Sequence, residues 1–360
     1  MFLASPITFP NLGITVDPNP VAFTVFGKDI YWYGIIIALG FLLAVIYMMR
    51  RAPVFGLTQD DVLDEVLWAV PIGVICARLY YCIFYWELYA DNPISILYIW
   101  EGGLAIYGGV IGGAITILVV SRVKKIKTGT MLDIAAMAVL IGQIFGRWGN
   151  FMNREAHGAV TDCFFKMGLL DASGAVTYYH PTFLYESVWN LVGFIALHFY
   201  SKKLRTFDGE IMLMYLAWYG LGRAWIEGLR TDSLMAGDFR ISQVVAAACF
   251  VVCTVLVIVF KILTEKKHIP LYVNTEACRA LNEADEKAEE QRREKKLAKK
   301  TEQAPSILSE DAENVTLNDD SSESSKSSEP ETVSSEETET SESPEAANET
   351  TKTSDESEEQ

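Results

Sequence analysis

Residues 131–145 read MLDIAAMAVLIGQIF, and residues 146–155 continue as GRWGNFMNRE. The first stretch is apolar enough for a membrane-buried helix, and the second places arginine, asparagine and glutamate side chains at its end. An ionisable side chain at membrane depth costs about 2.5 to 3.5 kcal/mol on insertion scales, so such residues usually face a protein interior and serve a ligand. Together the two stretches predict a transmembrane helix that ends in a functional site.

Six more apolar segments flank this helix along the chain. They lie near residues 31–49, 62–86, 103–120, 183–200, 211–226 and 241–260. A helix needs about 20 residues to cross a hydrocarbon core of about 30 Å, so the segments that begin at 103 and 211 are short. We predict an all-α integral membrane protein whose residues 30–263 form about seven transmembrane helices.

Basic clusters follow the first, third, fifth and seventh segments. They are Arg50/Arg51, Arg122/Lys124/Lys125/Lys127, Lys202/Lys203/Arg205 and Lys261/Lys266/Lys267. Lys and Arg concentrate in the cytoplasmic loops of membrane proteins. We therefore expect residues 1–29 to form an extracytoplasmic segment and the C-terminus to lie in the cytoplasm.

The net charge of −16 belongs to the C-terminal part of the chain. Residues 1–260 hold 17 Lys/Arg and 19 Asp/Glu, whereas the remaining residues hold 13 and 27. We interpret residues 264–300 as a charged cytoplasmic segment, within which 283–300 has the composition of a solvated helix. Residues 301–360 have few groups that can bury apolar area, so we predict a disordered acidic tail.

Polar side chains on five segments reach a similar depth. With a rise of about 1.5 Å per residue, Arg78, Arg147 and Arg223 fall roughly 18 to 24 Å above the cytoplasmic ends of their segments. Tyr33 and Tyr107 fall within about 10 Å of the outer surface. Arginine suits phosphate because its planar fork donates two hydrogen bonds at once. The pattern predicts a site for an anionic headgroup in the outer half of the membrane.

Several of these residues also have a purely structural interpretation. Tyr219, Arg223 and Glu227 share one helix face, where Arg223 and Glu227 could simply form an internal ion pair. Asn150 and Asn153 could bind glycerol hydroxyls or cap their own helix.

The glycines and cysteines favour packing over ligand binding. Gly108 and Gly112, like Gly142 and Gly146, are four residues apart, which is typical of closely packed membrane helices. The six cysteines include no CxxC pair and no Cys/His ligand set. We therefore predict no metal site and no cofactor.

Several motifs, in this order, resemble the bacterial prolipoprotein diacylglyceryl transferases. They are Trp32-Tyr33-Gly34, Arg78 before a tyrosine pair, Glu101-Gly102-Gly103 with Gly108-Gly109, Gly146 to Glu155 continuing to Gly158, His180-Pro181 with Leu184-Tyr185-Glu186, and Tyr219-Gly220 with Arg223 and Glu227. The resemblance covers about residues 30–260. It implies a bacterial cytoplasmic membrane enzyme that moves the diacylglyceryl group of phosphatidylglycerol to the lipobox cysteine thiol of a preprolipoprotein and releases glycerol phosphate.

The resemblance also implies partners and residue roles. The partners are phosphatidylglycerol, preprolipoprotein signal peptides and membrane lipids, with no nucleic acid. We expect Arg147 and Arg223 to hold the phosphate near the outer leaflet, with Arg78 as a weaker helper. The remaining residues expected to contact substrate are Asn150, Asn153, Glu155, Tyr33, Tyr219, Glu227, Gly158 and His180.

Tyr107 departs from the family pattern. Many members carry a histidine there, proposed as the general base, whereas an ordinary tyrosine, with a pKa of about 10, is a poor base at neutral pH. We expect Tyr107 to donate a hydrogen bond to the substrate. Deprotonation of the thiol is then left to Glu155, to His180 or to neither.

Two other functions fit parts of the pattern. Trp-Tyr-Gly occurs at 32–34 and again at 218–220, and transporters often contain internal repeats. A transporter of lipids or small molecules without bond chemistry is therefore an alternative. A receptor or scaffold with a Ser-rich signalling tail is the other.

Overall fold

A computed structural model describes residues 6–170, 174–229, 235–236 and 239–303. Long helices dominate these residues. They are α1 (Trp32–Phe55), α2 (Gln59–Phe84), α3 (Ile106–Val123), α4 (Thr128–Met152), α5 (Thr182–Lys203), α6 (Glu210–Ile226) and α7 (Ile241–Lys267), followed by α8 (Glu276–Gln303). Each of the seven predicted apolar segments is helical, which confirms the mainly helical class.

Five stretches among the described residues are long and apolar enough to cross a membrane. Four of them are α1, α2, α3 and α4, and the fifth is Ile241–Lys299, which contains α7. The prediction of a membrane protein is supported, while α5 and α6 do not meet the same criterion. The α6 helix has only 17 residues, and α5 carries the buried polar residues Glu186, Ser187 and Asn190.

The helix α4, which ends in the polar stretch 146–155, lies at the centre of the packing. α4 contacts α1, α5 and α6, while α2 packs on α3 and α6 on α7. Met131, Ile134, Met137 and Leu140 of α4 are completely buried. Because α4 is enclosed by its neighbours, the polar residues at its C-terminal end lie where several helices meet.

The turns that carry the basic clusters lie together at one end of the bundle. Lys127 Nζ, before α4, lies 3.0 Å from Oδ2 of Asp208, before α6. Asp133 of α4 accepts hydrogen bonds from the backbone N–H groups of Gly209 and Met212, at 2.9 and 3.0 Å. The first turn of α6 is thus capped by a carboxylate of another helix.

The segment after α7 folds back over these turns. The Tyr272 N–H donates to Asp208 Oδ2 at 2.8 Å, and the Cys278 thiol donates to the Gly56 carbonyl at 3.2 Å. Gly56 ends α1 with a φ of 77°, which glycine adopts without strain. Tyr272 and Cys278 are both buried.

Small antiparallel sheets, which were not predicted from the sequence, lie at the opposite end of the helices. A four-stranded sheet has the order β2 (Ile14–Val16), β1 (Ile7–Phe9), β5 (Met167–Leu170) and β6 (Val176–Tyr179). The strands β3 (Val21–Val25) and β4 (Lys28–Tyr31) form a hairpin that runs into α1, and β7 (Met235–Ala236) pairs with β8 (Phe239–Arg240). Strands this short carry little alternating pattern, which is why the sequence did not reveal them.

The C-terminal part is described only as far as α8. The helix α8 includes the predicted solvated helix at 283–300. The described residues up to Glu294 form one compact unit. The predicted acidic tail lies, from residue 304 onwards, outside the described residues.

Candidate active site

One carboxylate lies between two arginines where α4, α5 and α6 meet. Oε2 of Glu186 pairs with Nη2 of Arg147, and its Oε1 is 3.6 Å from Nη1 of Arg223. Nη2 of Arg223 is in turn 3.1 Å from Oε2 of Glu227. The predicted Arg223–Glu227 pair therefore exists, as part of a chain of four alternating charges.

The two signs of charge differ in exposure. The side chains of Glu186 and Glu227 are 6% and 5% exposed, whereas those of Arg147 and Arg223 are 24% and 26% exposed. Ser242 Oγ donates to Oε1 of Glu227 at 2.7 Å and so holds Glu227, the last member of the charge chain, in place. An anion that enters this site meets guanidinium groups first, with the carboxylates buried behind them.

Two tyrosines lie beside this charge chain. The hydroxyl of Tyr219 interacts electrostatically with Arg223, Glu186, Arg147 and Tyr107. Tyr107 stands at the start of α3 and is 68% exposed. Tyr219 thus lies near both predicted phosphate ligands, and Tyr107 lies near Tyr219.

Glu155 is held by both predicted asparagines. Nδ2 of Asn150 donates to Oε1 of Glu155 at 2.9 Å, and Nδ2 of Asn153 donates to the same oxygen at 3.3 Å. The amides neither cap α4 in this arrangement nor stand apart from the carboxylate. The three side chains form one hydrogen-bonded group at the end of α4.

Tyr33 joins this group to an open groove. Its ring packs against Gly149, where an added Cβ would lie 2.7 Å from Cδ2 of the ring. A groove of about 1250 Å³ lies beside it, with Tyr31 and Tyr33 on one side and Asn153 and Glu155 on the other. The groove runs along the start of α1 and gives Glu155 access to molecules outside the protein.

Arg78 is engaged by the α2–α3 connection. Its guanidinium is buried, and all five of its N–H donors have backbone carbonyl acceptors. The acceptors are the carbonyls of Ser95, Ile96, Tyr98, Gly102 and Gly103, at 2.6 to 3.4 Å. The structure therefore places Arg78 inside a loop that it holds together, and not in the chain of Arg147 and Arg223.

Gly158 and His180 lie next to each other at the start of α5. The Gly158 N–H donates to the His180 carbonyl at 2.9 Å, and a Cβ at Gly158 would lie 2.8 Å from that of His180. Nδ1 of His180 lies 3.6 Å from Sγ of Cys163 and 3.5 Å from the hydroxyl of Tyr185. Burial lowers the pKa of His180, which favours the neutral imidazole.

Comparison with known proteins assigns the chain to a family. A sequence model described as prolipoprotein diacylglyceryl transferase matches residues 20–259. The chain belongs to the prolipoprotein diacylglyceryl transferase family. The match includes the charge chain, the Glu155 group and both tyrosines.

Bacterial relatives named phosphatidylglycerol–prolipoprotein diacylglyceryl transferase are similar over most of their length. The protein of Enterococcus faecalis is 48% identical over 252 residues, which cover 67% of this chain and 90% of the relative. The proteins of Limosilactobacillus reuteri and Listeria innocua are both 42% identical over 272 residues, which cover 73% of this chain and 98% and 96% of the relatives.

Two residues of this family member were missing from the predicted site. Glu186 ends the Leu184-Tyr185-Glu186 motif but was not among the predicted site residues, although two arginines in apolar helices need a buried counter-charge. Cys163 had no sequence signal, because its approach to His180 depends on how the loop after α4 folds. Among the described residues, no group of three or more His, Cys, Asp or Glu side chains could hold a metal ion.

Proposed function

We propose that the protein transfers the diacylglyceryl group of phosphatidylglycerol to the lipobox cysteine of preprolipoproteins, the first step of lipoprotein maturation. The names of the relatives support this activity. The observation that carries it is the convergence of Arg147 and Arg223 on buried Glu186, with both guanidiniums partly exposed. This arrangement suits the phosphate of a lipid headgroup.

The reaction is a nucleophilic substitution at a glyceryl carbon. The cysteine thiol loses its proton, its sulfur bonds to the carbon, and the bond from that carbon to the phosphate oxygen breaks. Glycerol phosphate leaves with growing negative charge, which Arg147 and Arg223 stabilise. Glu155, held by Asn150 and Asn153, orients the headgroup glycerol.

Tyr107 and Tyr219 hydrogen-bond the same headgroup. Proton removal from the thiol falls to Glu155 or His180, or directly to solvent. Both side chains lie outside the transmembrane helices, near the end of α4 and the start of α5. An acceptor cysteine that follows an apolar signal segment reaches this same level.

The bundle has its basic end in the cytoplasm and its sheets and charge chain towards the outer leaflet of the bacterial cytoplasmic membrane. The gathering of the turns around Lys127 and Asp208 at one end supports this orientation. All seven helices, α5 and α6 included, cross the membrane. The acidic tail follows α8 into the cytoplasm.

Purified full-length protein, phosphatidylglycerol and a lipobox peptide test the proposal. Mass spectrometry should show a diacylglyceryl thioether on the peptide together with free glycerol phosphate. Arg147→Ala should lower turnover at least about 100-fold, the effect of removing one group that stabilises charge in a transition state. Arg122→Ala, an exposed arginine at the end of α3, is the matched control.

An unmodified peptide with the wild-type protein would favour a transporter over a transferase. Full turnover by Arg147→Ala in membranes would contradict the role given to this arginine.

A further inference from the structure

The loop after α4 holds Glu155 between two residues with left-handed backbone conformation. φ is 55° at Arg154 and 57° at Ala156. Residues with a side chain rarely adopt this conformation, because Cβ crowds the neighbouring carbonyl oxygen, so surrounding contacts must maintain it. The position of Glu155 therefore depends on what holds its two neighbours.

The downstream side of this loop is fixed by residues at the start of α5. Thr182 Oγ1 donates a hydrogen bond to the carbonyl of Ala156, and the Gly158 N–H donates to that of His180. The Glu155 N–H donates to the Asn150 carbonyl at 3.0 Å. These contacts account for Ala156 and for the backbone of Glu155.

Arg154 is tied to a different part of the chain. The residue is only 6% exposed, and its Nη2 lies 3.1 Å from Oδ1 of Asp17. Asp17 directly follows β2, which the sheet connects through β1 to β5. Asp17 also precedes residue 20, where the match to the family begins.

We infer that Asp17 is a positioning residue for Glu155. By pairing with the buried Arg154, its carboxylate helps to keep the loop in the left-handed geometry that places Glu155 against Asn150 and Asn153. The inference rests on the proposed function, in which Glu155 orients the headgroup glycerol. It gives the segment of β1 and β2, which precedes the family match, an effect on turnover.

Asp17→Asn in the full-length protein tests the inference. Because the Asp17 side chain is 67% exposed, we expect a moderate fall in kcat of about threefold to tenfold. The KM for phosphatidylglycerol should change less than about twofold, since Asp17 touches no substrate. Asp17→Glu keeps the charge and should recover most of the lost kcat.

Arg154→Gly provides the second arm of the test. Glycine adopts a positive φ without strain, so the loop no longer needs a tether. Adding Asp17→Asn to Arg154→Gly should therefore change kcat by less than about twofold. Asp162→Asn is the matched control, because Asp162 pairs with Lys166 at 3.2 Å while remaining 94% exposed, and it should match the wild type.

Wild-type kcat in Asp17→Asn would overturn the inference. Two other results would also overturn it. One is an equal fall in kcat when Asp17→Asn is made alone and when it is added to Arg154→Gly, and the other is a fall in kcat that Asp17→Glu does not reverse. Arg147→Ala separates this result from the proposed function, because it should lower turnover at least about 100-fold whether or not Asp17 positions Glu155. If wild-type protein itself transfers no lipid, the proposed function fails first.

Discussion

Glu186 sets the distance between two arginines that belong to different helices. One of its oxygens faces Arg147 of α4 and the other faces Arg223 of α6. A buried ion pair contributes little net stability, because desolvation offsets most of the attraction. We interpret Glu186 as a residue that orders the two guanidiniums for phosphate binding.

Glu186→Gln keeps the size of the side chain and removes its charge. We expect kcat to fall about 100-fold, since a misplacement of about 1 Å in a catalytic group has an effect of that order. The transfer assay measures this, with Glu87→Gln, an exposed glutamate in the α2–α3 connection, as control. Wild-type kcat in Glu186→Gln would show that the arginines are ordered without it.

Tyr107→Phe removes the hydroxyl of an exposed residue near Tyr219. If that hydroxyl donates a hydrogen bond to the headgroup, kcat/KM should fall about 2- to 10-fold at every pH, without a change in the shape of the pH profile. Tyr107→His should add a new titration to the pH profile of kcat/KM, at about pH 6.5, the ordinary pKa of imidazole. An unchanged rate in Tyr107→Phe would remove this residue from catalysis.

For individual residues, the sequence predicted the arginines of the site better than the groups that contact them. Arg147 and Arg223 stand out because charge is rare in apolar segments. The bonds from Asn150 and Asn153 to Glu155 depend on left-handed residues in the following loop, and the sequence shows no glycine there that would indicate them. Arg78 stood out for the same reason as the other arginines, yet its backbone acceptors lie 17 to 25 residues away in a loop without regular pattern.

Among the elements, α3 shows how glycine spacing determines packing. An added Cβ at Gly112 would lie 2.9 Å from Cα of Gly73 on α2, whereas one at Gly113 would meet nothing within 4 Å. Glycines four apart predicted a close approach of helices, and the structure confirms it for Gly108 and Gly112. Gly142, by contrast, has open space around it. Which face of α4 contacts its neighbours depends on the rotation of the helix about its axis, and a single sequence does not reveal that rotation.

Gly112→Ala and Gly113→Ala form a pair of adjacent substitutions in one helix. We expect Gly112→Ala to destabilise the protein by about 1 to 3 kcal/mol, because backbone atoms of α2 must move apart. Gly113→Ala should leave stability unchanged or raise it by about 0.5 to 1 kcal/mol through helix propensity. Thermal unfolding in detergent measures both, and equal values would contradict the assigned packing face.

For the molecule as a whole, the long apolar segments predicted the helices because their length and composition leave few other folds in a membrane. The N-terminal segment was expected to lie outside the membrane, but its strand β1 was not predicted. This strand pairs with β5, more than 150 residues away, and the pairing depends on how the helices between them fold. Residues 268–285, which we call the strap, pack over the basic turns. The sequence did not predict this packing, because the region is charged throughout and shows no apolar pattern.

Two truncations separate the strap from the acidic tail. Removing residues 301–360 should leave turnover unchanged. Ending the chain at Lys267 also removes the buried Tyr272 and Cys278, so we expect the unfolding temperature to fall by about 5 to 10 °C. A large loss of turnover in the shorter deletion would show a function for the tail, and an unchanged unfolding temperature in the longer one would contradict the packing of the strap.

The cap that Asp133 places on α6 has a consequence for biogenesis. The first amides of α6 find their acceptors on α4, which leaves the translocon more than 50 residues earlier. A nascent α6 that crossed the membrane without α4 would lack the carboxylate that caps its first turn, and its 17 residues are at the short end of the range that spans the hydrocarbon. The sixth helix is therefore expected to leave the translocon only once α4 stands beside it, so that loss of the Asp133 carboxylate would first appear as misinserted, proteolysed chains.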